Sequence, residues 1–360
     1  MPTTLPVQEI ELPANALKQI SEKRCGSHAS EGLLKRSPLN PILQAGDAPY
    51  SSSLVFNAGV AKYEGCYVML FRNDYGVTEQ DWLDYRNGTG PQPGRFDTNL
   101  GFATSADGVR WEVAPTPRWK VESEEIFRVY DPRITVLEGV AYICFAMDTR
   151  HGVRAGVART TDFTDFEILS LTTPDNRNMV LFPEKIGGQY YRLERPFPVY
   201  GTGGNFFDIW GSRSHDLCYW GDHNLVLAHE KVSFCNDKLG PAAPPVRTPA
   251  GWLTTFHSVW CLKDQLLGGW EGGWNRIYYP GIMLLDLEDP SRVIGMSPTP
   301  LWRPEAPYEV HGFRSQVIFP GGMILEDSGE VKIYYGASDT VECLVTAHVD
   351  DLLALCLPVA

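Results

Sequence analysis

FNAGVAKYEGCYVMLFRND, residues 56–74, reads as an apolar strand entered at Asn57, a turn at Glu64-Gly65, and a second strand that leaves at Arg72. The same plan recurs in DPRITVLEGVAYICFAMDT (131–149), NMVLFPEKIGGQYYRLERP (178–196), PPVRTPAGWLTTFHSV (244–259) and QVIFPGGMILEDSGEVKIYYGASDT (316–340). A third strand with small residues follows each hairpin: LGFATSADGVRWEV, AGVARTTDFTDFEIL, DIWGSRSHDLCYW, GIMLLDLEDPSRVI and CLVTAHVDDLLAL. Three of these carry an Ala/Ser-x-Ser/Thr-x-Asp turn, at residues 103–107, 158–162 and 212–216. Five units, each worth about four strands, predict an all-β, five-bladed β-propeller. A pair of β-sandwiches is the alternative, but it requires no repeat. WD and Kelch signatures are absent, which weighs against a protein-interaction propeller.

The rest of the 360-residue chain agrees with a β reading. Its 34 glycines and 27 prolines are turn residues in quantity, and helical periodicity is confined to residues 14–22 (ANALKQISE) and 350–355. Residues 1–50 precede the first repeat. They are expected to form an arm, with a short helix, that packs on the propeller or on a neighbouring subunit, leaving 51–360 as the five-bladed catalytic domain.

Composition narrows the function. With 43% hydrophobic and 21% charged residues the chain is globular. Lys plus Arg number 31 and Asp plus Glu 44, for a formal net charge of −13, which argues against nucleic-acid or anionic-membrane partners. No run approaches the roughly 20 apolar residues of a spanning helix, and the opening MPTTLPVQEIELP does not read as a signal peptide. The eight cysteines form no CxxC, so reduced, buried thiols in a cytoplasmic protein are expected. The eight histidines make neither HxH nor HExxH, so no metal site is expected.

In a propeller, equivalent ends of the inner strands meet beside the central channel. Inner-strand entries here carry Asn57, Asp131, Arg177 and Gln316; second-strand exits carry Arg72, Asp148, Arg195, His257 and Asp339. Arg177, Arg195, Lys238 and His257 would gather cations in an acidic protein, as a buried oxyanion requires. The plainer alternative pairs each Arg with a blade carboxylate such as Glu184 or Glu194.

At these residues the chain resembles glycoside hydrolase family 130, the β-mannoside phosphorylases and their hydrolase relatives. The segments that carry the likeness are FNAG (56–59), VYDPRIT (129–135), RNMVLFPE (177–184), LERP (193–196), KLGPAAPPVRTPAGWL (238–253), LLDLEDPSRVIG (284–295) and IYYGASDT (333–340). The resemblance implies a five-bladed fold and an inverting, glycosyl-transferring attack on a β-mannoside. Inorganic phosphate would be the co-substrate, no cofactor would be needed, and α-mannose 1-phosphate would be a product. It implies that Asp131 is the general acid, acting through a sugar hydroxyl. It also implies phosphate contacts from Arg177, Arg195, Lys238, His257 and Tyr278, mannose contacts from Asn57, Arg72 and Asp339, and self-association.

The chemistry of the residues points the same way. Inverting hydrolysis needs a second carboxyl group to activate water, whereas phosphate is already a nucleophile that cations can hold in line. One candidate acid beside an Arg/Lys/His cluster therefore favours phosphorolysis. A hydrolase using Asp131 with Asp148, Glu194 or Asp339 is the alternative, and a non-catalytic sugar-binding propeller is a third reading. Burial and a nearby anion would raise the pKa of Asp131; Arg133 would lower it if it points inward. An acceptor platform is expected from Trp260, Trp270, Trp274 and Tyr278 around segment 262–276, or from Trp82 and Tyr85 in segment 76–98.

Overall fold

The computed structural model describes residues 32–198 and 207–359. The predicted helix over residues 14–22 lies outside them. The first strand, β1 (Lys35–Arg36), belongs to the last sheet and is taken up below.

The predicted hairpins form because their turn residues suit the strand twist. Glu64-Gly65, Glu138-Gly139 and Gly187-Gly188 all have positive φ, between 49° and 82°, as tight two-residue turns require. Each hairpin grows into one antiparallel sheet. Blade 1 holds β2 (Leu54–Tyr63), β3 (Cys66–Tyr75), β4 (Asp97–Ser105) and β5 (Glu112–Val113); blade 2 holds β6 (Ile126–Leu137), β7 (Val140–Thr149), β8 (Gly152–Thr160) and β9 (Glu167–Leu171). Blade 3 holds β10 (Asn176–Leu181), β11 (Tyr190–Pro196), β12 (Ile209–Ser214) and β13 (Gly221–Leu227). Blade 4 has a split inner strand, β14 (Lys238–Pro241) and β15 (Val246–Thr248), then β16 (Gly251–Cys261), β17 (Arg276–Leu285) and β18 (Val293–Met296). Blade 5 is β19 (Ile318–Leu325), β20 (Glu330–Ala337) and β21 (Val341–His348), with β1 paired to β21 as its fourth strand.

The fold is a five-bladed β-propeller, as the repeat predicts. Separate hydrophobic clusters fill the seams between blades. Tyr63, Leu70, Phe145 and Phe163 pack between blades 1 and 2, and Leu137, Cys144, Leu181 and Leu217 between blades 2 and 3. Phe182, Leu193, Phe256 and Met283 fill the seam of blades 3 and 4, Leu253, Ile282, Ile333 and Tyr335 that of 4 and 5, and Val60, Phe71, Ile324 and Tyr334 that of 5 and 1. A ring of seams is what a closed propeller needs to bury both faces of every sheet.

The ring is closed by chain from its two ends. Beyond the β1–β21 pairing, Arg36 grips the buried Glu309 through Nε and Nη2, both at 2.9 Å. Glu309 sits in the short helix α2 (Pro307–Val310), after α1 (Glu79–Arg86) in the inserted segment of blade 1 and before α3 (Val349–Leu355), where the sequence predicts a helical turn. In the three Asp turns, Asp107, Asp162 and Asp216 each accept two backbone N–H groups. Cys144 and Cys343 are buried thiols as expected, but Cys66 and Cys218 are exposed. No helix among the described residues is long and apolar enough to cross a membrane.

Arg133 pins the centre of the ring. Its guanidinium is buried and donates to the carbonyls of Ala242 (2.6 Å), Pro132 (2.8 Å), Pro320 (3.3 Å) and Asn57 (3.4 Å). One side chain thus ties together backbone from blades 1, 2 and 5 and from the blade 4 segment that follows β14.

Candidate active site at the inner-strand ends

Inner-strand bulges build the site. The pairing register jumps between Phe56 and Gly59, between Tyr130 and Arg133, and between Arg177 and Val180. Asn57, Asp131 and Asn178 lie in these jumps with φ of 53°, 52° and 58°, and Gln316, just before β19, has 63°. Asn and Asp accept this left-handed conformation better than most residues, and a bulge re-aims the side chain out of the pleat. Asn57 Nδ2 consequently donates to Asp131 Oδ1 at 3.1 Å across the first two blades, and Asn178 Nδ2 lies 3.3 Å from His257 Nε2 across the third and fourth.

Asp131 is 9% exposed at its side chain and also accepts from Arg72 Nη1 at 3.4 Å. Burial raises its pKa, but Arg72, Arg133, the Asn57 hydrogen bond and Arg177 outweigh it, and the net shift is below the usual carboxylate range. Arg133 faces inward, so the lowering that depended on its direction operates. Arg72 is fixed by a fork to Asp74 (2.6 and 3.0 Å) and lies over the rings of Phe56 and Tyr130. Asp339 shifts the other way: burial raises it, opposed by Arg314 and Arg72 and reinforced by Asp131 and Asp74.

The cations gather beside this pair. Arg177 and Arg195 are register partners in the β10–β11 hairpin, and Lys238 and His257 come from β14 and β16. Among the described residues neither arginine is ion-paired with a carboxylate: Glu184 pairs with Arg247, and Glu194 with Arg192 and His223. Arg177 Nε, Arg195 Nε and Nη2, and His257 Nδ1 are buried without a hydrogen-bond partner. Burial and Arg177 push Arg195 down to about 9; burial, Arg195 and Arg177 push Lys238 down to about 8. Unpartnered buried donors on two arginines that are register partners, with Lys238 close enough to feel both charges, mark a candidate place for an anion. Phe197 and Phe207 line it, with Arg195 over both rings and Lys238 over the second.

His257 corrects one expectation: it is not a cation. Burial and the surrounding Arg195, Arg133, Arg177 and Lys238 hold its pKa well below the usual value. Arg195 Nη1 can only donate to His257 Nε2 (3.2 Å), so the ring proton sits on the free Nδ1 and the histidine offers a neutral donor. Gly240 makes room for this ring, since a Cβ there would lie 2.5 Å from its Cε1.

A family model described as beta-1,4-mannooligosaccharide phosphorylase matches residues 47–357. The chain belongs to glycoside hydrolase family 130. It is 28% identical over 326 residues to a 1,2-beta-oligomannan phosphorylase of Thermoanaerobacter sp., covering 89% of this chain and 98% of that one. It is 30% identical over 330 residues to a beta-1,4-mannooligosaccharide phosphorylase of Ruminococcus albus, covering 88% and 89%. The solved structure of a beta-1,2-mannobiose phosphorylase from Listeria innocua, in complex with beta-1,2-mannobiose, superposes with a TM-score of 0.75 at 25% identity, covering 90% of this chain and 99% of that one.

Within this family-130 chain the structure brings together the expected acid, mannose and phosphate residues, but not all of the aromatic candidates. Asn57, Arg72, Asp131 and Asp339 form one half of the site, Arg177, Arg195, Lys238 and His257 the other. Tyr278 lies near both, its ring stacked on His257 at 6.0 Å and its hydroxyl sensing Arg177, Arg195 and Asp339. Sequence reasoning missed Asn178, which takes the bulge position in blade 3 where Arg177 was expected; its place after Arg177, like Asn57 after Phe56, was the available signal. It also missed Tyr130, whose hydroxyl donates to Asp148 (2.7 Å) and meets Arg177. Of the aromatic candidates, Trp82 and Trp270 are core in a rim cluster with Phe96 and Phe313, and Trp260 packs on the seam of blades 3 and 4. Tyr85 is exposed and edge-on to Trp82. Trp274 stacks on Tyr278. Among the described residues Asp208, His229 and Glu230 lie close enough to share a metal ion, but the His229 ring is already held by Asp208 at 2.9 Å.

Proposed function

We propose that the chain is an inverting phosphorylase that cleaves a β-mannoside with inorganic phosphate, giving α-mannose 1-phosphate and a free acceptor sugar. The observation that carries this reading is the set of buried donors on Arg177, Arg195 and His257, beside Lys238, with no carboxylate among the described residues to satisfy them. The names of its relatives, mannoside phosphorylases acting on β-1,2 and β-1,4 linkages, agree with it. The chain needs neither a metal nor an organic cofactor for this chemistry.

In the reaction, phosphate held by Arg177, Arg195, Lys238 and the His257 Nδ1–H attacks the anomeric carbon as the bond to the bridging oxygen breaks. That oxygen takes a proton that originates on Asp131 and passes through a mannose hydroxyl. The phosphate hydroxyl, now on an ester, returns a proton to Asp131, so the cycle balances. Free Asp131 is ionised at neutral pH. An arriving anion that engages Arg177 weakens one of the charges holding Asp131 down and adds negative charge nearby, and both effects raise its pKa toward that of a working acid.

The hydrolase alternative needs a free second carboxylate. Asp148 is held by Arg128 and Tyr130, both at 2.7 Å, and Glu194 by Arg192, Asn176 and His223. Asp339 is engaged by Arg314 Nη1 at 3.4 Å. Reduced cysteines suit a cytoplasmic enzyme, and we extend the proposal to that compartment and to a self-associating chain. Incubation with β-1,2- or β-1,4-mannobiose, with and without phosphate, tests the reading: mannose 1-phosphate should form only with phosphate. Free mannose released at the same rate in its absence would overturn it.

A further inference from the structure

A column of stacked planes leads from the anion cluster to solvent. His257 stacks on Tyr278 (6.0 Å, 15° between planes), Tyr278 on Trp274 (6.0 Å, 23°), and the Arg314 guanidinium lies 4.9 Å over Trp274. Exposure rises along it, from 0% at His257 and 9% at Tyr278 to 39% at the Arg314 side chain. The outer end is rigidly placed. The segment between β16 and β17 is tied to the stretch before β19 by Trp270 N–H to the Phe313 carbonyl (3.1 Å) and Tyr278 N–H to the Gln316 carbonyl (3.0 Å). Arg314 Nη1 donates to Asp339 Oδ2 at 3.4 Å, while its Nε is buried without a hydrogen-bond partner.

We propose that Arg314, backed by Trp274, binds the acceptor sugar and sets its choice. This rests on the phosphorylase reading above. In an inverting displacement the nucleophile and the leaving group lie on opposite sides of the anomeric carbon. Phosphate takes the buried end of the column, so the leaving sugar takes the exposed end, where Arg314 adjoins the mannose contact Asp339. The Arg314 N–H groups not engaged by Asp339, on a side chain 39% exposed, form a fork suited to two neighbouring hydroxyls. Asp339 on Nη1 and Glu271, 4.0 Å from Nε, already face the positive charge. The site therefore favours a neutral hexose over a uronic acid or a sugar phosphate.

The test runs the reaction toward synthesis, from mannose 1-phosphate with mannose, glucose or glucuronic acid as acceptor. Wild type should use the neutral hexoses in preference to glucuronic acid. Arg314→Ala should raise the KM for the hexose about tenfold or more, the loss of a charge-assisted contact, with the KM for mannose 1-phosphate moving less than about threefold. Arg314→Lys, which keeps a cation beside Asp339 without the fork, should recover part of the loss while melting as wild type does. An unchanged hexose KM, an equal rise in both KM values, or a wild-type preference for glucuronic acid would overturn the assignment. Failure of the wild type to release phosphate from mannose 1-phosphate with any acceptor would instead remove the phosphorylase reading, and this proposal with it.

Discussion

Arg177 and Arg195 face each other as register partners across β10 and β11, and among the described residues no carboxylate pairs with either. The buried Arg195 and the half-buried Arg177 repel at that spacing, and burial has already cost them hydration. On the phosphorylase proposal, bound phosphate supplies the negative charge that offsets this repulsion. Arg177→Ala and Arg195→Ala should each raise the KM for phosphate by roughly tenfold to over a hundredfold, or about 1.5–3 kcal/mol, with mannoside saturating. Wild-type phosphate dependence in both variants would contradict the anion site.

Lys238 gives the site a pH signature. Its folded-state pKa of about 8, against an ordinary 10.5, means the unfolded chain binds more protons between those values. Without phosphate, this residue penalises folding fully below about pH 8 and the penalty fades as pH rises toward 10.5. Bound phosphate favours the charged amine. The gain in Tm on adding phosphate should therefore shrink as pH climbs through about 8, and Lys238→Met should flatten that trend. Melting curves with and without phosphate across this range decide the matter.

Asp131→Asn should lower phosphorolysis by about a hundredfold or more, because the proton donor is lost, while the chain still folds and binds mannoside, with some loss in melting temperature because Arg72 and Arg133 lose their counter-charge. Retention of more than about a tenth of wild-type turnover would rule out the general-acid role.

Arg133→Met tests the central pin. Removing the guanidinium leaves four buried carbonyls from four parts of the ring without that donor. Unfolding in denaturant should show a loss of more than about 3 kcal/mol. A midpoint within error of wild type would mean that water or neighbouring groups replace the contacts.

Arg36→Ala tests the closure. It frees the outermost strand of blade 5 and strips the buried Glu309 of its cation, although Tyr335 and two backbone N–H groups still reach that carboxylate. A loss of about 1.5–3 kcal/mol is expected by chemical denaturation. Glu309→Gln in the same background should recover part of it, since the uncompensated charge is gone.

The architecture was legible in the sequence because it is local. Period-two apolar patterning, turn residues such as Glu64-Gly65, and five recurrences of one hairpin define five sheets, and sheets with two apolar faces have few ways to close. Asp131, Arg177, Arg195 and Asp339 could be picked out for the same reason: strand ends are readable, and a propeller brings equivalent ends together. What only the tertiary structure decided depends on neighbours far along the chain. Asn57 meets Asp131 across 74 positions, and Arg133 meets the Pro320 carbonyl across 187. Whether Arg133 points inward, and so adds to the lowering of the Asp131 pKa that Arg72 leads, follows from those partners and not from VYDPRIT. The neutrality of His257 likewise comes from burial among cations supplied by three blades, and the separation of Trp274 from the core residues Trp82 and Trp270 from how the inserted segments pack. Sequence patterning specifies strands and turns because each residue carries its own propensity. It does not specify a pKa or a side chain's direction, because these are set by the field and the space that distant residues create.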